Sequence, residues 1–236
     1  MNTQGLIFQD IRVSLPLLLF LSVDFVFIVL HVINGISPLP NSFLFNITKD
    51  HGYAEMYQYI KFFWVIILFA YILKATKSYC YAAWILVFTY FLLDDSLRIH
   101  ELFGRYIATR FNFTPPLDFR PQDFGELTAS VIAGTFLSTI VAWSYLHGSH
   151  TFKKITIDLL IFVMALAFFG VFVDIAKHAF QIGRIVSFGL GIIEDGGEMV
   201  VVSLILWYVA LLAIRNGVSD LFLHDFTCKP LTSHYS

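Results

Sequence analysis

The sequence predicts an all-α fold: a polytopic membrane protein built as a bundle of six transmembrane helices. Three observations predict it. The 236 residues are 58% hydrophobic and only 14% charged, with 26 Phe and 11 Tyr, outside ordinary soluble usage, and the mean hydropathy is +0.75. Six apolar runs recur along the chain, each near the roughly 20 residues a spanning helix needs. Between them stand Pro, Gly and charged residues of the kind that end helices. The formal net charge of -2, with no basic tract, excludes nucleic-acid binding.

Residues 1–236 read as a single membrane domain, and its spans follow in order. The first, residues 13–33, exceeds the roughly 7 to 15 apolar residues of a signal-peptide core and lacks its basic flank, so a retained anchor is expected. It carries Asp24 and His31 on one face; Asp24 is expected to hydrogen-bond a neighbouring helix. Gly35, Pro38 and Pro40 end it, and Phe43, Leu44, Phe45 and Ile47 should rest the connector on the bundle. The second span, 57–76, and the third, 79–104, are joined by a tight turn at Lys77 and should lie antiparallel. A loop with Pro115, Pro116 and Pro121 leads to the fourth, 127–146, whose Ala129, Ala133, Gly134, Ser138 and Ala142 permit close helix contact. The fifth is 155–179. Ahead of the sixth, 198–215, Gly183, Gly189, Gly191, Gly196 and Gly197 point to close backbone packing or a bent approach.

An even number of spans places both termini on one side, called side A. The short turns there carry Lys74, Lys77, Lys153 and Lys154, so cytoplasmic termini are expected by the positive-inside rule. At the opposite level, side B, the helix ends present carboxylate or imidazole: His31, Glu55, Asp94, Asp95, His100, Glu101, Asp123, Glu126, Asp174, His178, Glu194, Asp195 and Glu198. Ionisable groups at membrane depth are expensive and should face a protein interior or a wet cavity. On a continuous third helix, Asp94, Arg98, Glu101 and Arg105 would share one face as a polar seam.

Carboxylates and imidazoles without thiolates suit iron, zinc or manganese. The expected metal ligands are His31, Asp94, Glu101, Asp174, His178 and Glu198, with Asp95, His100 and Glu194 as orienting or proton-handling catalytic groups. The competing reading is ordinary charge satisfaction at the membrane interface, through pairs such as Arg98 with Asp94 or Glu101. The functional expectation is a membrane-embedded metal-dependent enzyme acting on a small or lipid-like substrate by hydrolysis or oxidation. The alternative is a cation or proton pathway, or an accessory subunit with partner subunits in the bilayer. The phenylalanines are expected to pack between helices and face lipid rather than enclose a pigment.

Ser96-x-x-x-His100 with the later Asp174 resembles fragments of the seven-helix membrane hydrolases that include alkaline ceramidases and progestin-and-adipoQ-type receptors. Those carry a further His-x-x-x-His in the last helix, which this chain lacks, and one more span. The resemblance covers a few residues and implies only that a metal hydrolase belongs among the expectations.

Overall fold

A computed structural model describes residues 11–37, 43–111, 121–173 and 183–214. It is all-α. The helices are α1 (Ile11–Ile36), α2 (Tyr53–Thr76), α3 (Ala82–Leu97), α4 (Ile99–Phe111), α5 (Pro121–His147), α6 (His150–Ala167) and α7 (Arg184–Ile214), with a π-helical stretch, Phe168–Val173, continuing α6. Six stretches are long and apolar enough to cross a membrane: Val13–Ile36, Tyr53–Thr76, Tyr79–Leu97, Phe124–His147, His150–Val173 and Val186–Ile214. The chain is an integral multi-pass membrane protein.

The last helix is the bundle's axis. Of its apolar window 67% is buried, against 17% to 28% in the other five. Val202, Ile205, Leu206, Trp207, Tyr208 and Val209 are all buried, and a helix apolar on every side satisfies itself only inside a bundle. Gly189, Gly191, Gly196 and Gly197 lie within one continuous helix that begins at Arg184, just after Gly183. Close packing is what they permit. A Cβ at Gly197 would drive into the Phe169 ring, and one at Gly196 would meet Ile28 at 3.3 Å.

Polar ties fix α7 to its neighbours. Lys61 on α2 donates to Asp24 Oδ1 (3.0 Å), to the Met199 carbonyl (2.8 Å) and to Ser203 Oγ (3.1 Å), while Ser203 Oγ donates to Asp24 Oδ2 at 2.5 Å. Lys61, Asp24 and Ser203 are 0%, 1% and 0% exposed, so α1, α2 and α7 meet on an ion pair whose three ammonium protons are all used. Asp24 does bond a neighbouring helix; the cation it bonds, Lys61, was not foreseen. Its signal was legible, since Lys61 is a cation set inside one span just ahead of its longest apolar run and Asp24 a lone acid in another. Further out, Tyr208 donates to Asp158 (2.6 Å), Trp84 to Thr156 (3.2 Å) and Trp207 to the Val13 carbonyl (2.8 Å).

Two further boundaries moved for physical reasons. The third span does not run on as a helix to residue 104. Arg98 adopts left-handed backbone geometry, φ 53 and ψ 45, and the chain restarts as α4. The break survives without glycine because the Arg98 N–H bonds the Asp94 carbonyl, and the Asp94 carboxylate accepts from the His100 N–H at 2.9 Å, serving one of α4's orphan donors. The continuous seam is therefore replaced by local pairs. Arg98 forks onto Glu101 at 2.5 and 2.7 Å and reaches Asp50 at 3.1 Å. The fourth span starts earlier than residue 127, with Pro121 as the first residue of α5, where a missing N–H costs nothing. Gly104 and Gly125 then bring α4 and α5 together backbone to backbone.

The antiparallel α2–α3 pair is present, turned by Lys77 in left-handed geometry, φ 53. The connector does rest on the bundle through the Phe43–Phe45 turn and buried Ile47.

Candidate functional site

Between α2, α3, α4, α5, α6 and α7 lies a cavity of about 960 Å³. One end is polar: Gln58 from α2, Tyr90, Asp94 and Asp95 from α3, His100 from α4, Glu126 from α5 and Glu198 from α7. The rest of its length is mostly apolar, with Phe62, Phe91, Leu137, Val141, Leu160 and Val163 on the walls. Along α5 the part of the lining from the acid Glu126 to Tyr145 spans about 28 Å at 1.5 Å per residue, close to the roughly 30 Å of a bilayer's hydrocarbon core. The cavity is an amphiphilic slot with its polar end at side B.

Helix geometry builds the polar end. The break at Arg98 folds α4 back so that His100 faces Asp94, with ring Nδ1 donating to Asp94 Oδ2 at 3.1 Å. Tyr59 ties α2 to the end of α3, its hydroxyl 2.5 Å from Glu55 Oε1 and 3.2 Å from the Asp95 carbonyl oxygen. Gln58 hydrogen-bonds Glu198. Gly170, in the π-helical stretch, has no side chain because the Glu198 carboxylate occupies the position of its Cβ; π-helical turns recur where a helix is re-aimed at a site. Glu198 feels the negative charges of Asp95, Asp195 and Glu194, and Asp95 those of Asp94 and Glu55, with His100 as the opposing charge.

The His100 imidazole is held above its ordinary value of 6.5, first by the hydrogen bond to Asp94 and then by the charges of Asp94, Glu126 and Glu101, with burial opposing. A raised folded-state value means that the Asp94–His100 link contributes its full stability below pH 6.5 and loses it as pH rises through the raised value. Thermal stability of the wild type and of Asp94→Asn should accordingly differ most in mild acid and converge in alkali. A gap that widens with pH would show that His100 is neutral in the folded protein.

Of the expected metal ligands, Asp94 and Glu198 line the cavity, as do Asp95 and His100 from the expected catalytic set. Glu101 is turned away onto Arg98. His31 sits elsewhere, its Nδ1 accepting from the Ile47 N–H at 3.3 Å and its ring stacked on Phe188 at 4.7 Å. Glu194 lies one turn before Glu198 and outside the lining, though its charge reaches Glu198. Asp174 and His178 lie outside the described residues. Among the described residues, no group of three or more His, Cys, Asp or Glu side chains is arranged to hold a metal ion. Gln58, Tyr90 and Gly170 were not foreseen, and Glu126 was placed at this level without being assigned a role. Gln58 had a signal, an isolated amide one turn after Glu55; Gly170 had none, since only the packing of α7 puts the Glu198 carboxylate where a Cβ would stand.

Residues 18–214, from within α1 to the last residue of α7, match one family model. The chain belongs to the family described as "Domain of unknown function (DUF8692)". The matched stretch is the helical bundle itself, cavity included. No curated protein and no solved structure matches the chain.

Proposed function

We propose that this protein is a membrane-embedded enzyme that holds a lipid-like substrate in the cavity and acts on the substrate's polar end with carboxylate and imidazole groups. One observation carries the reading: a slot nearly as long as the hydrocarbon core is thick, apolar along most of its length and acidic at one end. Asp95 and Glu198 are the candidate proton acceptors, and His100, whose protonated form the hydrogen bond to Asp94 favours, is the candidate donor. This chemistry favours hydrolysis over oxidation.

A divalent or transition metal, iron, zinc or manganese, belongs to the proposal as a finer step. What favours it is the crowding of Asp95 and Glu198 with further acids around them, a repulsion that a shared cation would relieve. Water and substrate would complete its coordination. The ion-pathway alternative stands second, because the mostly apolar side-A half of the slot offers a hydrated ion few partners.

Protein extracted in mild detergent without a polyhistidine tag should carry a co-purifying amphiphile and stoichiometric iron, zinc or manganese, both depleted in an Asp95→Asn, Glu198→Gln double variant. Amphiphile without metal would leave acid–base chemistry and remove the metal. Folded protein that holds neither and binds no added amphiphile would overturn the reading.

Orientation is part of the same proposal, with the termini cytoplasmic and the polar end of the slot facing the other side. In intact cells Lys49→Cys should react with an impermeant thiol reagent and His150→Cys should not; the opposite pattern reverses the orientation.

A further inference from the structure

We infer that the ligand enters the slot sideways from the bilayer, through the seam between α5 and α6, and that it is a long-chain amphiphile whose head is cationic rather than anionic. This rests on the reading of the slot as a substrate site and adds its route and its charge class.

The seam follows from how α5 is held. α5 and α6 are joined by the tight turn at Gly148 and Ser149, where Ser149 Oγ accepts from the Phe152 N–H at 3.2 Å. Beyond that turn α5 is held chiefly by α4, through the Gly104–Gly125 contact, and by α3. The two helices thus splay, and residues that line the slot are also exposed: Leu160 is 42% exposed and Ile157 48%. On α5, Gly134, Ser138 and Ala142 form both the slot's wall and the floor of an outward depression flanked by Val131, Thr135 and Thr139. The wall there is one small side chain thick, and space beside Gly134 is open, with nothing within 4 Å of where a Cβ would stand. The side-A end is closed instead. Trp84 bonds Thr156, and Tyr81 packs edge-on against Phe152 at 5.1 Å, all four buried.

The charge class follows from what faces the head. The acids at the polar end are Asp94, Asp95, Glu126 and Glu198, and its basic group, His100, is already committed to Asp94. A phosphate or carboxylate head would meet like charge in a low-dielectric site, where such juxtaposition costs several kcal/mol. A long-chain amine supplies a cation at one end, in place of a metal ion there, and fills the apolar slot with the other.

The test uses hexadecylamine carrying a photoactivatable diazirine near the chain end, in phosphatidylcholine proteoliposomes, with adducts mapped by peptide mass spectrometry. Adducts should concentrate on Leu137, Val141, Leu160 and Val163, and the equivalent hexadecanoate probe should label them at least roughly tenfold less. Gly134→Trp, whose ring has free space to enter, should abolish these adducts while leaving those on lipid-facing Leu18 and Phe25 of α1 unchanged. Equal labelling by both probes overturns the charge class. Undiminished slot labelling in Gly134→Trp overturns the seam and leaves the substrate site standing. Labelling by both probes confined to lipid-facing residues overturns the inference and the proposed function together.

Discussion

Lys61→Met should lower the unfolding free energy by about 3 to 5 kcal/mol, the usual cost of stranding one member of a buried ion pair. Asp24 would be left as an anion 1% exposed to solvent, with only Ser203 donating to it. Water cannot replace the lost ammonium at that depth, so the carboxyl must stay charged and unpaired or take up a proton. The double variant Asp24→Leu, Lys61→Met should recover most of the loss, since well-packed apolar groups often match a buried pair. Denaturant titration in mixed micelles reads both. Equal destabilisation in single and double variants would mean that packing around α1, α2 and α7, and not the charge, sets the effect.

Glu198→Gln should move stability and function in opposite directions. The glutamine keeps the size of the side chain and its link to Gln58, and it cannot ionise beside Asp95, Glu194 and Asp195. Stability should rise by about 1 kcal/mol, the usual range for relieving a strained functional position. Turnover of the co-purifying amphiphile should fall by about a hundredfold or more, the usual share of a general acid or base. A variant that loses stability and keeps turnover would make Glu198 a structural residue and move the proton-acceptor role to Asp95. Gly170→Ala should resemble Glu198→Gln in function but not in stability, because its methyl group displaces the carboxylate without neutralising it.

The class of fold was legible because apolar length is a one-dimensional property. Six runs near the thickness of a bilayer admit few arrangements other than helices, since backbone groups in lipid must bond within their own segment. Strict alternation then put Asp94, Asp95, His100, Glu126 and Glu198 at one level, as the structure has them. Depth in the membrane can be counted along a chain; azimuth around a helix and contact between helices cannot. The tertiary structure alone decided that Glu101 turns to Arg98 while Asp94 turns to His100, because a left-handed residue with neither Gly nor Pro to announce it breaks the third span. It alone separated His31 from the polar end and gave Lys61 to Asp24. It also made the slot, which belongs to no single segment: a cavity is the space that six helices fail to fill, and its shape follows from Gly104 against Gly125 and Gly170 against Glu198. Residue spacing specifies how far each side chain lies from the membrane surface, and only packing specifies what it faces.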